Sequence, residues 1–132
     1  MRFFCASVFA FLLLASPLAV RANDHGGGAS GPAPMAFTLN LSDTESSSGR
    51  YLQFEMLLEG ASPAVDATLA SVRPKVQNEI IMLLSGSTAD KLRTLVGKQD
   101  LAKRIKTAIN KLINEDGKTG VKEVLFTNFV IQ

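Results

Sequence analysis

Residues 51–84 read YLQFEMLLEGASPAVDATLASVRPKVQNEIIMLL, and the hydrophobic period changes inside this stretch. From Tyr51 to Glu59 the period is two. Leu52, Phe54, Met56 and Leu58 share one side of an extended chain, and Tyr51, Gln53, Glu55 and Leu57 share the other. From Ser62 the period becomes three or four, with Val65, Leu69, Val72, Val76, Ile80, Leu83 and Leu84 on one helical stripe. Ser62 suits an N-cap and Pro63 the first helical position, where the amide hydrogen that proline lacks would have no intrahelical partner. Pro74 falls in the middle of the pattern. Its ring clashes with the carbonyl four residues back and pushes Arg73 away from helical geometry, which predicts a kink or two helices in series.

Working toward the N-terminus, Phe37-Thr38-Leu39-Asn40-Leu41 alternates like a half-buried strand, and Ser42–Gly49 is a turn-rich loop. Two strands joined by such a loop most simply pair antiparallel. Toward the C-terminus, Ser85-Gly86 ends the helical pattern, and Ser87-Thr88-Ala89-Asp90 resembles a capping box with Asp90 in place of the usual glutamate. A short helix then carries Leu92, Leu95 and Val96 to Gly97. A further helix runs from about Lys98 or Asp100 to Glu115, with Leu101, Ile105, Ala108, Ile109 and Leu112 opposite Lys103, Arg104, Lys106 and Lys111. Gly117 is placed to take the left-handed conformation that closes it. Val121–Gln132 is apolar on both faces and reads as a strand that returns to the earlier pair. The order strand, strand, helices, strand predicts an α+β fold: a small antiparallel-type sheet with helices packed on one face.

The first 22 residues have a different character. Met1-Arg2 is followed by an apolar run through Leu14 and by the small-residue end Ala15–Ala22, the pattern of an export segment. Val20 and Ala22 sit where a signal peptidase reads the chain, so cleavage between Ala22 and Asn23 is the preferred reading. An uncleaved anchor is the other, because Phe3–Val20 is long enough to span a bilayer. Cleavage would leave one domain's length of chain. Arg2 and Arg21 would leave with the segment, so 14 basic residues become 12 against 12 acidic ones. A chain of zero formal net charge lacks the long-range field that draws nucleic acid, and no nucleic-acid partner is expected. Cys5, the sole cysteine, also lies in this segment. Residues 23–36, with four glycines, two prolines and the sole histidine, His25, read as a flexible tether before a domain over 37–132.

The residues of that domain limit its chemistry. Without histidine or cysteine it has no usual base for a nucleophilic serine and no zinc-ligand cluster. Gly97-Lys98 does not make a phosphate loop, because Leu92 stands where the first glycine is required. Glu55, Glu59, Glu115 and Asp116 are the remaining acid/base groups, and solvated carboxylates are the simpler reading of all four. No catalytic residue, cofactor or metal is expected. Lys103, Arg104, Lys106 and Lys111 form one local basic patch, suited either to anionic lipid headgroups or an acidic partner, or simply to a solvated helix face.

Four segments occur together and in order: RYLQFEMLLEG at 50–60, VRPKVQNEIIMLLSGSTADKLRTLVGKQDL at 72–101, IKTAINKLI at 105–113 and VLFTNFVIQ at 124–132. In this combination the chain resembles the flagellar basal body-associated protein FliL family. The resemblance implies a periplasmic domain similar to the stomatin and prohibitin module, held at the inner membrane. It also implies association with the flagellar stator and basal-body proteins, assembly of copies into a ring or partial ring, and a part in rotation, swimming, swarming and chemotaxis. It implies no catalytic residue and no cofactor. One departure stands out: family members carry a cytoplasmic tail and a longer membrane helix, whereas only Met1-Arg2 precedes the apolar run here. A competing reading is a general envelope-binding module on the same fold without a motor role.

Overall fold

A computed structural model describes residues 32–41 and 49–132. The export segment, with Ala22 and Asn23, and most of the tether lie outside the described residues. Seven elements follow in the order β1 (Met35–Leu41), β2 (Arg50–Gly60), α1 (Pro63–Ser71), α2 (Arg73–Leu84), α3 (Ala89–Arg93), α4 (Leu95–Leu112) and β3 (Val121–Ile131). The first strand begins at Met35, two residues before the expected Phe37, because Met35 buries its side chain in the same row as Phe37 and Leu41.

The strands form one antiparallel sheet in the order β1-β2-β3, with β2 central. The period-two pattern of β2 decides which face is covered. Leu52, Phe54, Met56 and Leu58 are at most 3% exposed, while Tyr51 on the opposite face is 55% exposed. All four helices lie on the first face. Val65 and Leu69 of α1, Val76, Ile80 and Leu84 of α2, Leu92 of α3, and Leu101, Ile105 and Ile109 of α4 close over it as one apolar core. Removing those side chains from water is the main force holding sheet and helices together.

Pro74 splits the stripe into two helices as expected, but the break falls at Val72 and not at Arg73, which is itself the first residue of α2 because Pro74 sits in the opening turn where its missing amide costs nothing. Val72 is the cap shared between α1 and α2. The Ser62 side chain accepts from the Val65 N–H, as an N-cap should. Arg73, in the first turn of α2, donates to the Pro34 carbonyl at 2.8 Å and fastens the approach to β1.

Three further local expectations need correction. The capping box at Ser87–Asp90 does not form: Thr88 is the N-cap of α3 and its side chain makes no cap hydrogen bond. The junction of the last two helices lies earlier than the apolar spacing suggested. Thr94 caps α4 by accepting from the Gly97 N–H at 2.9 Å, so Gly97 belongs to the first turn of α4. Leu95 and Val96 therefore stand in solvent, 71% and 74% exposed, and contribute nothing to the core. A Cβ on Gly97 would overlap the Lys91 carbonyl, which explains a glycine inside a helical turn. Finally, α4 stops at Leu112 and the left-handed residue after it is Asn114, with φ 56°, not Gly117.

Asp116 holds the turn that follows. One of its carboxylate oxygens accepts from the Thr119 and Lys118 N–H groups and from the Thr119 hydroxyl. These bonds, the Thr119 amide foremost, hold the carboxyl below its ordinary range. A carboxylate whose folded pKa is depressed adds stability above its unfolded pKa and loses it as pH falls through the folded value. Thermal stability of the wild type should therefore drop more steeply below about pH 4 than that of Asp116→Ala. A pH series of melting curves on the two proteins checks this, and parallel curves would show that the turn contributes nothing.

Candidate partner-binding surface

The 18-residue α4 carries the basic patch and decides how it is presented. Leu101, Ile105 and Ile109 recur at four-residue intervals and face the core. That rotation leaves Lys103, Arg104, Thr107 and Lys111 exposed on the opposite side, with Lys106 half-buried at its border.

The four cations are not equivalent. Arg104 leans across to α2 and donates to the Leu83 carbonyl at 3.3 Å, a favourable place for a cation near a helix C-terminus. Lys106 turns the other way and donates to the Lys122 carbonyl on β3 at 2.8 Å. Two members of the patch thus also tie α4 to its neighbours. Lys103 and Lys111 make no ion pair within 4 Å among the described residues, whereas Asp90 pairs with Arg50 and Arg93. They remain available to a partner.

Of the shallow grooves along this face, two lie on its β3 and C-terminal sides. One, of about 390 Å³, runs between α4 and β3 and is lined by Lys103, Lys106, Lys122, Glu123 and Val124 among others. The other, of about 370 Å³, lies against the turn after α4 and adds Thr107, Lys111, Glu115 and Asp116. Lys122 enlarges the patch and was missed in the sequence, where it sits near the start of a strand with no helical spacing to the other cations. Glu115, Asp116 and Glu123 edge the grooves, so the surface is positive along its centre and mixed at its margins. Charge of mixed sign fixes orientation in a contact more than a uniformly basic surface does.

The four carboxylates form no acid/base pair. Glu55 and Glu59 project from β2 on the side away from the helices, and the Asp116 side chain is folded back onto its own turn. Its depressed pKa is the wrong direction for a proton donor near neutrality. Among the described residues no group of three or more His, Cys, Asp or Glu could hold a metal ion. No helix among them is long and apolar enough to cross a membrane.

Residues 32–132 match the family described as flagellar basal body-associated protein FliL. The chain belongs to the FliL family. The flagellar protein FliL of Aquifex aeolicus (strain VF5) is 32% identical over 96 residues, which cover 73% of this chain and 56% of that relative. The chain thus spans little more than half the length of the curated relative it matches. The segments quoted from the sequence fall on β2, on α2 through the first turns of α4, on the C-terminal half of α4 with its cap Ile113, and on β3 from Val124 onward. They are core-forming elements of the α+β fold.

Proposed function

We propose that this FliL-family protein is a non-enzymatic accessory of the flagellar basal body. In this reading it associates with the stator in the periplasm and supports rotation, and with it swimming, swarming and chemotaxis. Copies associate with one another in a ring or partial ring. The domain works beside the inner membrane, anchored where residues 1–22 are retained and released where the chain is cut after Ala22. A relation of the sheet-and-helix scaffold to the stomatin and prohibitin module belongs to the same reading.

The single observation that carries it is the family match across residues 32–132, which takes in every described residue. The absence of histidine and cysteine from those residues and the scattered carboxylates fit a protein that works by contact. Lys103 and Lys111 are the residues we assign to the acidic side of a partner.

A deletion strain tests the role. It should swarm poorly on viscous media and recover when the wild-type gene is supplied. Normal swimming and swarming would sink the proposal. Complementation with Lys103→Glu/Lys111→Glu should fail to restore swarming. The purified variant should keep its stability to within about 0.5 kcal/mol, because both side chains are exposed surface groups. Co-purification with the stator's periplasmic domain separates a motor accessory from a general envelope-binding module.

A further inference from the structure

The two broad faces of the domain, on opposite sides of its layers, differ in charge. On the open face of the sheet, Leu57 and Leu125 lie side by side, flanked by Glu55 and by the cross-strand pair Glu59–Glu123. Tyr51, Leu125 and Val130 leave large apolar groups in water on this face. Glu55, Glu59 and Glu123 make no ion pair within 4 Å among the described residues. Like charges directly opposite on a ladder repel, so Glu59 and Glu123 call for a cation that the described fold does not supply.

The outer side of the helices has the opposite sign. A shallow groove of about 450 Å³ between α2 and α4 is lined by Lys103, Arg104 and Lys111 and by the apolar Leu83 and Ala108, with Glu79 as its carboxylate. Met82, beside Leu83 on α2, is 65% exposed. Each face thus joins exposed apolar groups to charge, acidic on the sheet and mainly basic on the helices.

We propose that these two faces bind each other between copies, the open sheet of one copy packing on the α2–α4 face of the next. The proposal rests on the self-association and on the acidic partner of Lys103 and Lys111 named above, and it identifies that partner as the sheet of a second copy. Charge complementarity selects this pairing: either face against its own kind would bring glutamates onto glutamates or cations onto cations. The contact joins two different patches, so every copy keeps one free face of each sign. Such heterologous contacts continue from copy to copy and close into a ring when the rotation allows. The chain enters β1 at Met35, at one end of the sheet and on neither face, so stacking leaves that entry open in every copy. Strands about 4.8 Å apart and up to 11 residues long present roughly 14 by 35 Å, on the order of 500 Å² to each partner. A standard interface takes about 800 Å² per partner, so association should depend on concentration and weaken with salt.

Charge reversal on either face tests the pairing, read by sedimentation of the purified full chain. Lys103→Glu/Lys111→Glu gives the helix face the sign of the sheet, and Glu55→Lys/Glu59→Lys gives the sheet the sign of the helices. Each variant alone should associate at least about tenfold more weakly than wild type. Both should keep the wild-type melting temperature, since the first changes exposed side chains and the second places a cation opposite Glu123. Mixed in equal amounts, the two variants should recover wild-type association, because every acidic helix face then finds a basic sheet and every basic helix face an acidic one. Assemblies larger than dimers should form, as two different patches on each copy require. Either variant associating like wild type, a mixture no stronger than its parts, or a wild type that stops at dimers would overturn this pairing while leaving self-association standing. A wild type that is monomeric at about 100 µM would remove both.

Discussion

Replacing Phe54 by alanine should cost about 3–5 kcal/mol, the range for emptying a large aromatic from a packed core. Phe54 is 0% exposed at the middle of the central strand. Its ring stacks on Phe37 at 4.8 Å and 11° and lies 6.0 Å from Phe126 and 5.8 Å from Phe129. Phe126 and Phe129 meet each other edge to face at 5.3 Å. The substitution therefore takes the shared neighbour from three rings on the two flanking strands, and contacts of this geometry add about 0.5–1.5 kcal/mol each beyond the area they bury. A domain of this size is stable by about 5–15 kcal/mol in total, so the variant should sit close to its unfolding threshold at 37 °C. Urea unfolding followed by circular dichroism should show a lowered midpoint with little change in slope. Tyr51→Ala, three positions away in the same strand but on the open face, should cost less than about 1 kcal/mol. A Phe54→Ala protein as stable as Tyr51→Ala would refute the assignment of the covered face.

That contrast was legible in residues 51–59, because a period of two admits one division between faces. The split at Pro74 was legible for a similar reason: a missing amide and a ring clash act locally, whatever the remainder of the chain does. The third strand was legible only in part. Strict alternation puts Phe126 and Phe129 on opposite faces, whereas the extra residue Thr127 brings both onto the core side. A bulge depends on the partner strand and leaves no local mark. The junction of α3 and α4 failed by the same logic. Leu95 and Val96 have helical spacing with Leu92, yet the Thr94 cap and the close approach of Gly97 to Lys91 start a new helix and turn both side chains to water. Within the basic patch, the residue types and their common face were evident. The different duties of Arg104 and Lys106 were not, since their acceptors, Leu83 and Lys122, belong to other elements.

Gly120→Ala should be nearly as damaging as Phe54→Ala, at about 3 kcal/mol or more, although it adds only a methyl group. The reason lies in Asn110, a polar residue 5% exposed in the interior-facing side of α4. Its amide oxygen accepts from the Val121 N–H at 2.5 Å, and its amide nitrogen donates to the Val121 carbonyl at 3.3 Å. Asn110 thus supplies to the first residue of β3 the pair of bonds that a neighbouring strand would offer, and joins α4 to the sheet. A Cβ on Gly120 would overlap the Asn110 amide oxygen and approach Glu115 Cβ to 2.7 Å and the Asp116 carbonyl to 2.9 Å. Moving the amide aside leaves both backbone groups of Val121, a residue 0% exposed, without partners, and each such group costs about 1–3 kcal/mol. Asn110→Ala removes the same two bonds directly and should cost a similar amount. The two changes share one cause, so the double variant should be more stable than the sum of the single losses predicts, by at least about 1 kcal/mol. Part of the Gly120 penalty should persist, because the contacts with Glu115 and Asp116 do not involve Asn110. A double-mutant cycle in urea measures this coupling, and strict additivity would show that the amide and the glycine act independently.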